Sequence, residues 1–435
     1  MKYLAVALLV AACSKHSTSE PPAKDAAKAI DAAVAVAIDA PPPAPAKPHA
    51  TKVVVGIHAS CAVMSDATLR CWGANGQGQL GDGTTADHPT PVQPAISHVV
   101  DVALGAAHAC ALLDDGSVTC WGQIGFGKVD HVAAPTGVLG INDAKHVFAV
   151  GAASCATMSN GAFVCWGDID ERGHLRLSGG TREHRVPTPA EGVSHIVQLT
   201  EAGGLRDDGD VYTWDAKGRP TARALTGITE IAAAGDGVCG LTKDGDVECA
   251  GGAPKCAANA PRPRPAPKPA PKPAKTPKGK KGAKGAKGDK AAPPPAPAPV
   301  AAAVEKLALP KAKHLAFDVG LCVVTVGGEL QCLQPSNACE LDSPWPGLAK
   351  VTAVDGHCAR IGDAGVRCWQ VDRKSRTVST VSGVTGVQQL ASSSSHGCAL
   401  QKDNSLVCWG ENAHGELGRG TADTQAHAEA APVAF

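Results

Sequence analysis

Seven cysteine pairs share one spacing, and that spacing restricts the fold more than any other feature of the chain. Cys61 and Cys71, Cys110 and Cys120, Cys155 and Cys165, Cys239 and Cys249, Cys322 and Cys332, Cys358 and Cys368, and Cys398 and Cys408 are all ten residues apart. An eighth copy, GLRDDGDVYTWD, keeps the turn and Trp214 but has Gly203 and Thr213 where the sulfurs should be. Successive copies begin 36 to 49 residues apart, except for an 83-residue step from Cys239 to Cys322, which returns to the period once about 47 residues of low-complexity sequence are removed. Units that recur in this way bury their apolar faces against neighbouring copies.

The stretch HACALLDDGSVTCWG, residues 108–122, shows what one unit is. Its midpoint is Asp115, so a three-residue loop of Asp114, Asp115 and Gly116 sets the two cysteines directly opposite. Loops of this length favour a type I turn followed by a left-handed residue, a conformation that suits glycine. The same position holds Gly161, Gly209, Gly245, Gly328 and Asn404 in other copies, whereas Ala67 and Ala364 fit it less well. Counting outward from the closing pair makes 110:120 a non-hydrogen-bonded pair with Cα atoms about 4.5 Å apart, within reach of a disulfide. A valine-rich run precedes each hairpin, as in VVVGIHASC and VVDVALGAAHAC, and a Gly-rich loop follows it. About four short strands per copy, with no helical period, predict an all-β propeller.

The cysteine pairs admit several chemistries. Zinc prefers a CxxC-type spacing, and one hairpin leaves two ligands missing. Redox centres do not recur seven times. Free cysteines packed as small apolar side chains compete with disulfides, but both sulfurs vanish together in the eighth copy, as bonded partners do. Two further cysteines, Cys256 and Cys339, each lie seven residues beyond the second cysteine of a repeat and are expected to form a bond at the base of the low-complexity insert.

CWGANGQGQLGDGT, with Trp72, Gly73, Asn75, Gly78, Gln79, Leu80 and Gly81, resembles the repeat of the regulator of chromosome condensation (RCC1) family. CWGENAHGELGRGT, with Trp409, Gly410, Asn412, Gly415, Leu417 and Gly418, is a second good copy. The middle copies depart from the motif, and Ala250 and Leu333 stand where two of the tryptophans should be. The resemblance covers most of 51–253 and 304–435 and implies an RCC1-like β-propeller, usually of seven blades. The hairpins number eight, so seven and eight both stay open. The final APVAF is expected to close the ring beside VVVGIHASC.

Seventeen cysteines point to an oxidising compartment. The first residues agree: MKYLAVALLVAAC has a basic start, a short apolar run and small residues before Cys13. This resembles a bacterial lipoprotein signal, implying cleavage after residue 12, lipidation of Cys13 and membrane attachment at the cell envelope, with the outer membrane or surface as the address. A plain secretory signal is the alternative. Residues 13–50 are rich in Ala, Pro, Lys and Asp and read as a disordered tether reaching roughly 35 Å.

The formal net charge is zero, yet residues 255–290 carry twelve Lys or Arg against one acid, Asp289, a balance of +11 that leaves −11 for the remainder. The segment 254–303 is too Pro-rich and apolar-poor to order itself. Arg262, Arg264, Lys268, Lys272, Lys278, Lys280, Lys281, Lys284 and Lys287 form a candidate polyanion site, with acidic envelope polymers as ligands; without interleaved aromatics, specific nucleic-acid readout is not expected. His58, His108, His357 and His396 stand just before the first cysteine of their repeats, where a channel ring or local hydrogen bonds are the two readings.

No nucleophile elbow, Walker loop or zincin motif occurs, so no catalytic residue, cofactor or metal is expected. The expected function is a non-enzymatic, lipid-anchored scaffold for a protein or glycan partner. By analogy with the founding family member, guanine-nucleotide exchange is an alternative, and secreted enzyme inhibition is another.

Overall fold

Each ten-residue step folds into the hairpin its midpoint dictates. In the computed structural model, which describes residues 47–124, 132–168, 184–214, 220–234, 236–252, 304–317, 320–334, 337–341, 344–363, 365–371 and 376–435, the chain divides after Lys47, and everything below belongs to the unit Pro48–Phe435. Between the strands His108–Leu113 and Val118–Gly122, the Leu113 N–H donates to the Ser117 carbonyl at 2.9 Å and the Gly116 N–H to the Leu113 carbonyl at 3.0 Å, with Gly116 at φ 80°. That is the three-residue loop, and it sets Cys110 opposite Cys120 with Cα atoms 4.1 Å apart and the sulfurs bonded. The other six expected pairs are disulfides too. Cys61 bonds to Cys71, Cys155 to Cys165 and Cys398 to Cys408 with Cα atoms 4.1 Å apart. Cys239 bonds to Cys249 and Cys358 to Cys368 at 4.0 Å, and Cys322 to Cys332 at 3.9 Å. In every case the two cysteines are cross-strand partners in register, and all of these separations are shorter than the expected 4.5 Å. Ala67 takes the left-handed conformation despite its Cβ, at φ 59°; Ala364 lies outside the described residues.

In five of the hairpins the residue before the left-handed position supplies a second lock. The side-chain oxygens of Asp66, Asp115, Asn160, Asp208 and Asp403 accept the N–H two residues on, at 2.8 to 3.1 Å. Asp and Asn make such bonds readily because their carbonyl or carboxylate sits one carbon from the backbone.

Among the described residues the hairpins extend to eight four-stranded antiparallel sheets, spanning 50–92, 99–137, 144–194, 196–225, 228–306, 312–341, 351–381 and 387–432. The count is therefore eight, and the cysteine-less copy is blade 4. Strands run in chain order from the first, which packs on the first strands of neighbouring blades, to the fourth at the rim. Blade 5 spans the low-complexity insert: Glu248 and Cys249 of its third strand pair with Lys306 and Glu305 of its fourth. The expected first and second parts of the propeller thus meet inside one sheet, and the insert, with its basic residues, lies outside the described residues. So do Cys13 and Cys256, and with Cys256 the expected bond to Cys339.

Blades pack through eight apolar clusters, one at each seam. Successive residues of a strand face opposite sides, which explains the recurring Cys-Trp dipeptide: Cys71 packs towards blade 2 with Val102 and Trp121, while Trp72 packs towards blade 8 with Cys398 and Cys408. Seven seams are built around a disulfide from the preceding blade, as where Cys165 meets Ile196 and Trp214 of blade 4, and Cys332 meets Trp369 of blade 7. The sulfurs occupy core volume that aromatics, only 3% of the chain, cannot fill. Each disulfide also closes an eleven-residue loop, worth roughly 3 kcal/mol in the chain-entropy account.

The ring closes without strand exchange. Asp423–Pro432 is the fourth strand of blade 8, so most of APVAF packs against blade 1 rather than pairing with it: Val433 joins the cluster of Val53 and Trp72, and the Phe435 ring meets Trp72 at 6.2 Å.

Candidate functional site

The motif residues turn out to hold seams together. After the third strand of blade 1, Asn75 organises a loop by accepting the Leu80 N–H at 2.9 Å and donating to Asp82 and to the Thr84 carbonyl, each at 3.1 Å. Asn412 does the same in blade 8, accepting from Leu417 at 3.2 Å and donating to the Thr421 carbonyl at 2.9 Å. These loops lie over the next blade. The indole N–H of Trp121 donates to the Gln79 carbonyl at 2.8 Å, and that of Trp72 to the Glu416 carbonyl at 2.7 Å.

The loop glycines permit this approach. A Cβ on Gly78 would meet Ala133 Cα at 2.7 Å, and one on Gly415 would meet Pro89 Cα at 2.3 Å; Gly81 and Gly418 lie likewise against Trp121 and Trp72. Gly73 and Gly410, at φ 102° and 110°, sit where a Cβ would strike the carbonyls of His58 and Ser395 at 2.5 Å. Leu80 and Leu417 are buried beneath the loops.

Blade 7 cannot build such a loop. Its third strand ends at Val371 and its fourth begins at Arg376, so four residues connect them, against fourteen in blade 1 (74–87) and ten in blade 8 (413–422). The Trp409 indole N–H donates to Cys368 Sγ at 3.3 Å. The space left open is a cleft of about 540 Å³ between blades 7 and 8. Its floor is Trp369, Trp409 and the Cys358–Cys368 disulfide; its walls carry Thr377 and Ser379 on one side and Ser393, Ser394 and Ser395 on the other. The serine run ASSSSHGC at 391–398 and the shortened connection are sequence signals for this cleft, and only their juxtaposition across a seam gives them meaning.

The four histidines do not form a ring. His108 and His396, both two residues before a cysteine, are buried and each bridges to the next blade, Nε2 sharing a 2.8 Å hydrogen bond with Ser154 Oγ and Ser60 Oγ respectively. Burial pulls both imidazoles down to about 4, and the charge of His58 adds to the effect on His396, so both are neutral at pH 7. His58 is half exposed, with Nδ1 3.7 Å from Oε1 of the buried Glu416, and His357 lines the cleft. Among the described residues no group of three His, Cys, Asp or Glu side chains is placed to hold a metal ion.

A third set of seam contacts has no counterpart in the motif. On the first strands, two residues before the partner of the first cysteine, the Gln198 and Gln389 amides each exchange two hydrogen bonds of 2.9 to 3.0 Å with the backbone of Ile231 and Val53 in the next blade. At the equivalent position Glu230 accepts the Leu315 N–H at 3.0 Å, and Lys52 pairs with Asp101. One polar residue within each apolar run was the available signal.

Eight four-stranded blades, seven of them stapled by a disulfide, with interblade loops roofing the seams of blades 1 and 2 and of blades 8 and 1, define an RCC1-type β-propeller. The chain carries repeats of the regulator of chromosome condensation (RCC1) family: one repeat profile matches residues 69–112 and a second matches 50–79, 99–127 and 387–416, all in blades 1, 2 and 8. No curated protein sequence matches the chain. Human WBSCR16 has a similar fold, with 16% identity and a TM-score of 0.51 over 85% of this chain and 95% of that one. Prp20p from Saccharomyces cerevisiae, whose structure was described with its binding to Gsp1p and histones, is 15% identical with a TM-score of 0.50, covering 84% of this chain and 85% of its own. At these identities the likeness shows the fold alone.

Proposed function

We propose that the protein is a non-enzymatic binding scaffold of the bacterial cell envelope, held to the membrane by a lipid on Cys13, that engages its partner in the cleft between blades 7 and 8. The observation that carries this reading is the cleft itself. It opens at a seam whose interblade connection is short, as it also is in blades 4 and 6, while the seams at blades 1 and 2 and at blades 8 and 1 are roofed. Concave sites of this size are where proteins place ligands. Seven disulfides suit an oxidising environment, and among the described residues no helix is long and apolar enough to cross a membrane. That other propellers of this fold bind proteins, as Prp20p does Gsp1p and histones, supports a scaffold role. The basic insert adds salt-sensitive attraction to anionic envelope polymers.

A photocross-linking residue at Ser394, introduced in intact cells, should capture a discrete partner, whereas one at the exposed Leu139 should not. Fractionation of the same cells should place the wild-type chain with membranes and the Cys13→Ala chain in the soluble fraction. Equal labelling from both positions would remove the cleft from the reading, and a membrane-bound Cys13→Ala chain would remove the anchor.

A further inference from the structure

We infer that the cleft between blades 7 and 8 takes a neutral oligosaccharide, an assignment that rests on the reading of this cleft as the ligand site. Among the described residues lining it, no side chain is Asp, Glu, Lys or Arg. The polar groups are hydroxyls, imidazoles and the Gln370 amide instead. An ionic ligand entering such a site would lose its hydration without gaining a countercharge, which is costly for a carboxylate, sulfate or ammonium group. Three imidazoles line the cleft: His396 is committed to Ser60 in the next blade, with Ser393 and Ser395 3.4 and 3.1 Å from its Nδ1, and His357 and His427 are the other two. His427, on the rim strand, has its Nε2 engaged by the Asp423 carboxylate at 3.0 Å.

An apolar ligand fits no better. Five hydroxyl side chains line it; Ser379 and Ser395 donate to the Cys368 and Ile57 carbonyls, but an apolar occupant would cover the remaining donor and acceptor capacity of the set without bonds. A sugar meets both demands. Each of its hydroxyls both donates and accepts, matching the Ser and Thr hydroxyls and the Gln370 amide in either direction. Its C–H faces find Val381, Ala426, Ala428 and the edge of Trp409. The volume, about 540 Å³, holds a few pyranose rings. The loss of the interblade loop in blade 7 is then what creates the binding site, and the serine run of blade 8 is its polar wall.

Calorimetric titration of the full chain with cellotetraose, maltotetraose, chitotetraose and lactose, and in parallel with tetragalacturonate and a heparin tetrasaccharide, tests this. At least one neutral sugar should bind with a Kd below about 1 mM, and Ser394→Trp and Ala428→Trp, both at exposed positions that leave the core untouched, should each weaken it by ~10-fold or more with an unchanged melting temperature. Absence of binding by every neutral sugar, binding indifferent to both substitutions, or tighter binding of either anionic sugar would each overturn the assignment. If the neutral sugars fail while cross-linking from position 394 still captures one partner, the cleft remains the ligand site and only the sugar is wrong.

Discussion

At the scale of single residues, the two buried histidines make stability depend on pH. His108 and His396 have pKa values of about 4 in the folded chain because burial disfavours the imidazolium; in the unfolded chain they return to 6.5. Above pH 6.5 neither state binds the proton. Between 6.5 and about 4 the unfolded chain takes up protons that the folded chain refuses, so stability falls as pH falls. A shift of this size is worth about 3 kcal/mol per histidine by pH 4. The hairpin carboxylates act in a different window. Side-chain hydrogen bonds from Thr68, Ser117 and Ser405 hold Asp66, Asp115 and Asp403 below 3.8, and what they contribute is lost only as pH falls under that value. Urea unfolding at pH 7.0, 5.5 and 4.5 should therefore show a decline that the His108→Gln and His396→Gln double variant largely lacks, since glutamine can bond to Ser154 and Ser60 without titrating. An unchanged slope in that variant would assign the pH dependence to other groups.

At the scale of elements, the seams are not equal. Between blades 4 and 5 the cluster of Ala202, Leu205, Val211, Leu225, Ile228, Ile231, Val238 and Ala250 contains neither a sulfur nor an indole. Gly203 stands in a cysteine's place, and a Cβ there would lie 2.4 Å from the Tyr212 carbonyl, so restoring the sulfur would require the backbone to move. The hairpin 203–214 also lacks the cross-link that shortens the unfolded loop elsewhere. Native-state hydrogen exchange should find its amides opening about 3 kcal/mol more easily than those of 108–122, roughly a hundredfold in rate. Equal protection of the two hairpins would refute the ranking. This weak seam was legible in the sequence, because Gly203, Thr213 and Ala250 announce their missing partners. The hairpins were legible for the same reason: a ten-residue gap with an Asp-Gly midpoint leaves few alternatives, and even Ala67 obeys it. The number of blades was not, because a repeat family that usually closes with seven competes with a count of eight hairpins, and only packing decides. Nor was the cleft. A short 3–4 connection and a serine run are unremarkable apart, lying in different repeats, and acquire a function only once blades 7 and 8 are neighbours.

At the scale of the whole molecule, the place where the chain begins and ends is not special to the ring. The seam between blades 8 and 1 repeats the one between blades 1 and 2 in its main contacts: Trp72 donates to the Glu416 carbonyl as Trp121 does to that of Gln79, and Gly415 lies on Pro89 as Gly78 lies on Ala133. The interblade histidine bond at this seam, His396 to Ser60, recurs between blades 2 and 3 as His108 to Ser154. In many closed rings a terminal strand completes the first blade, and a cut elsewhere then leaves a sheet unfinished. Here each sheet is complete in one stretch of chain, blade 5 around its insert included, so the covalent connections between blades only raise the local concentration of partners that already fit. A circular permutant that joins Phe435 to Pro48 through a Gly/Ser linker and opens between Thr226 and Gly227, in the turn between blades 4 and 5, should fold with all seven disulfides. Its melting temperature should fall by about 1 °C, the effect of about 1 kcal/mol in a chain of this size, because the cut frees the least reinforced seam. Mispaired disulfides on non-reducing peptide mapping, or failure to form a compact monomer, would show that closure at blades 8 and 1 depends on the order in which the chain is made rather than on the contacts that the finished ring contains.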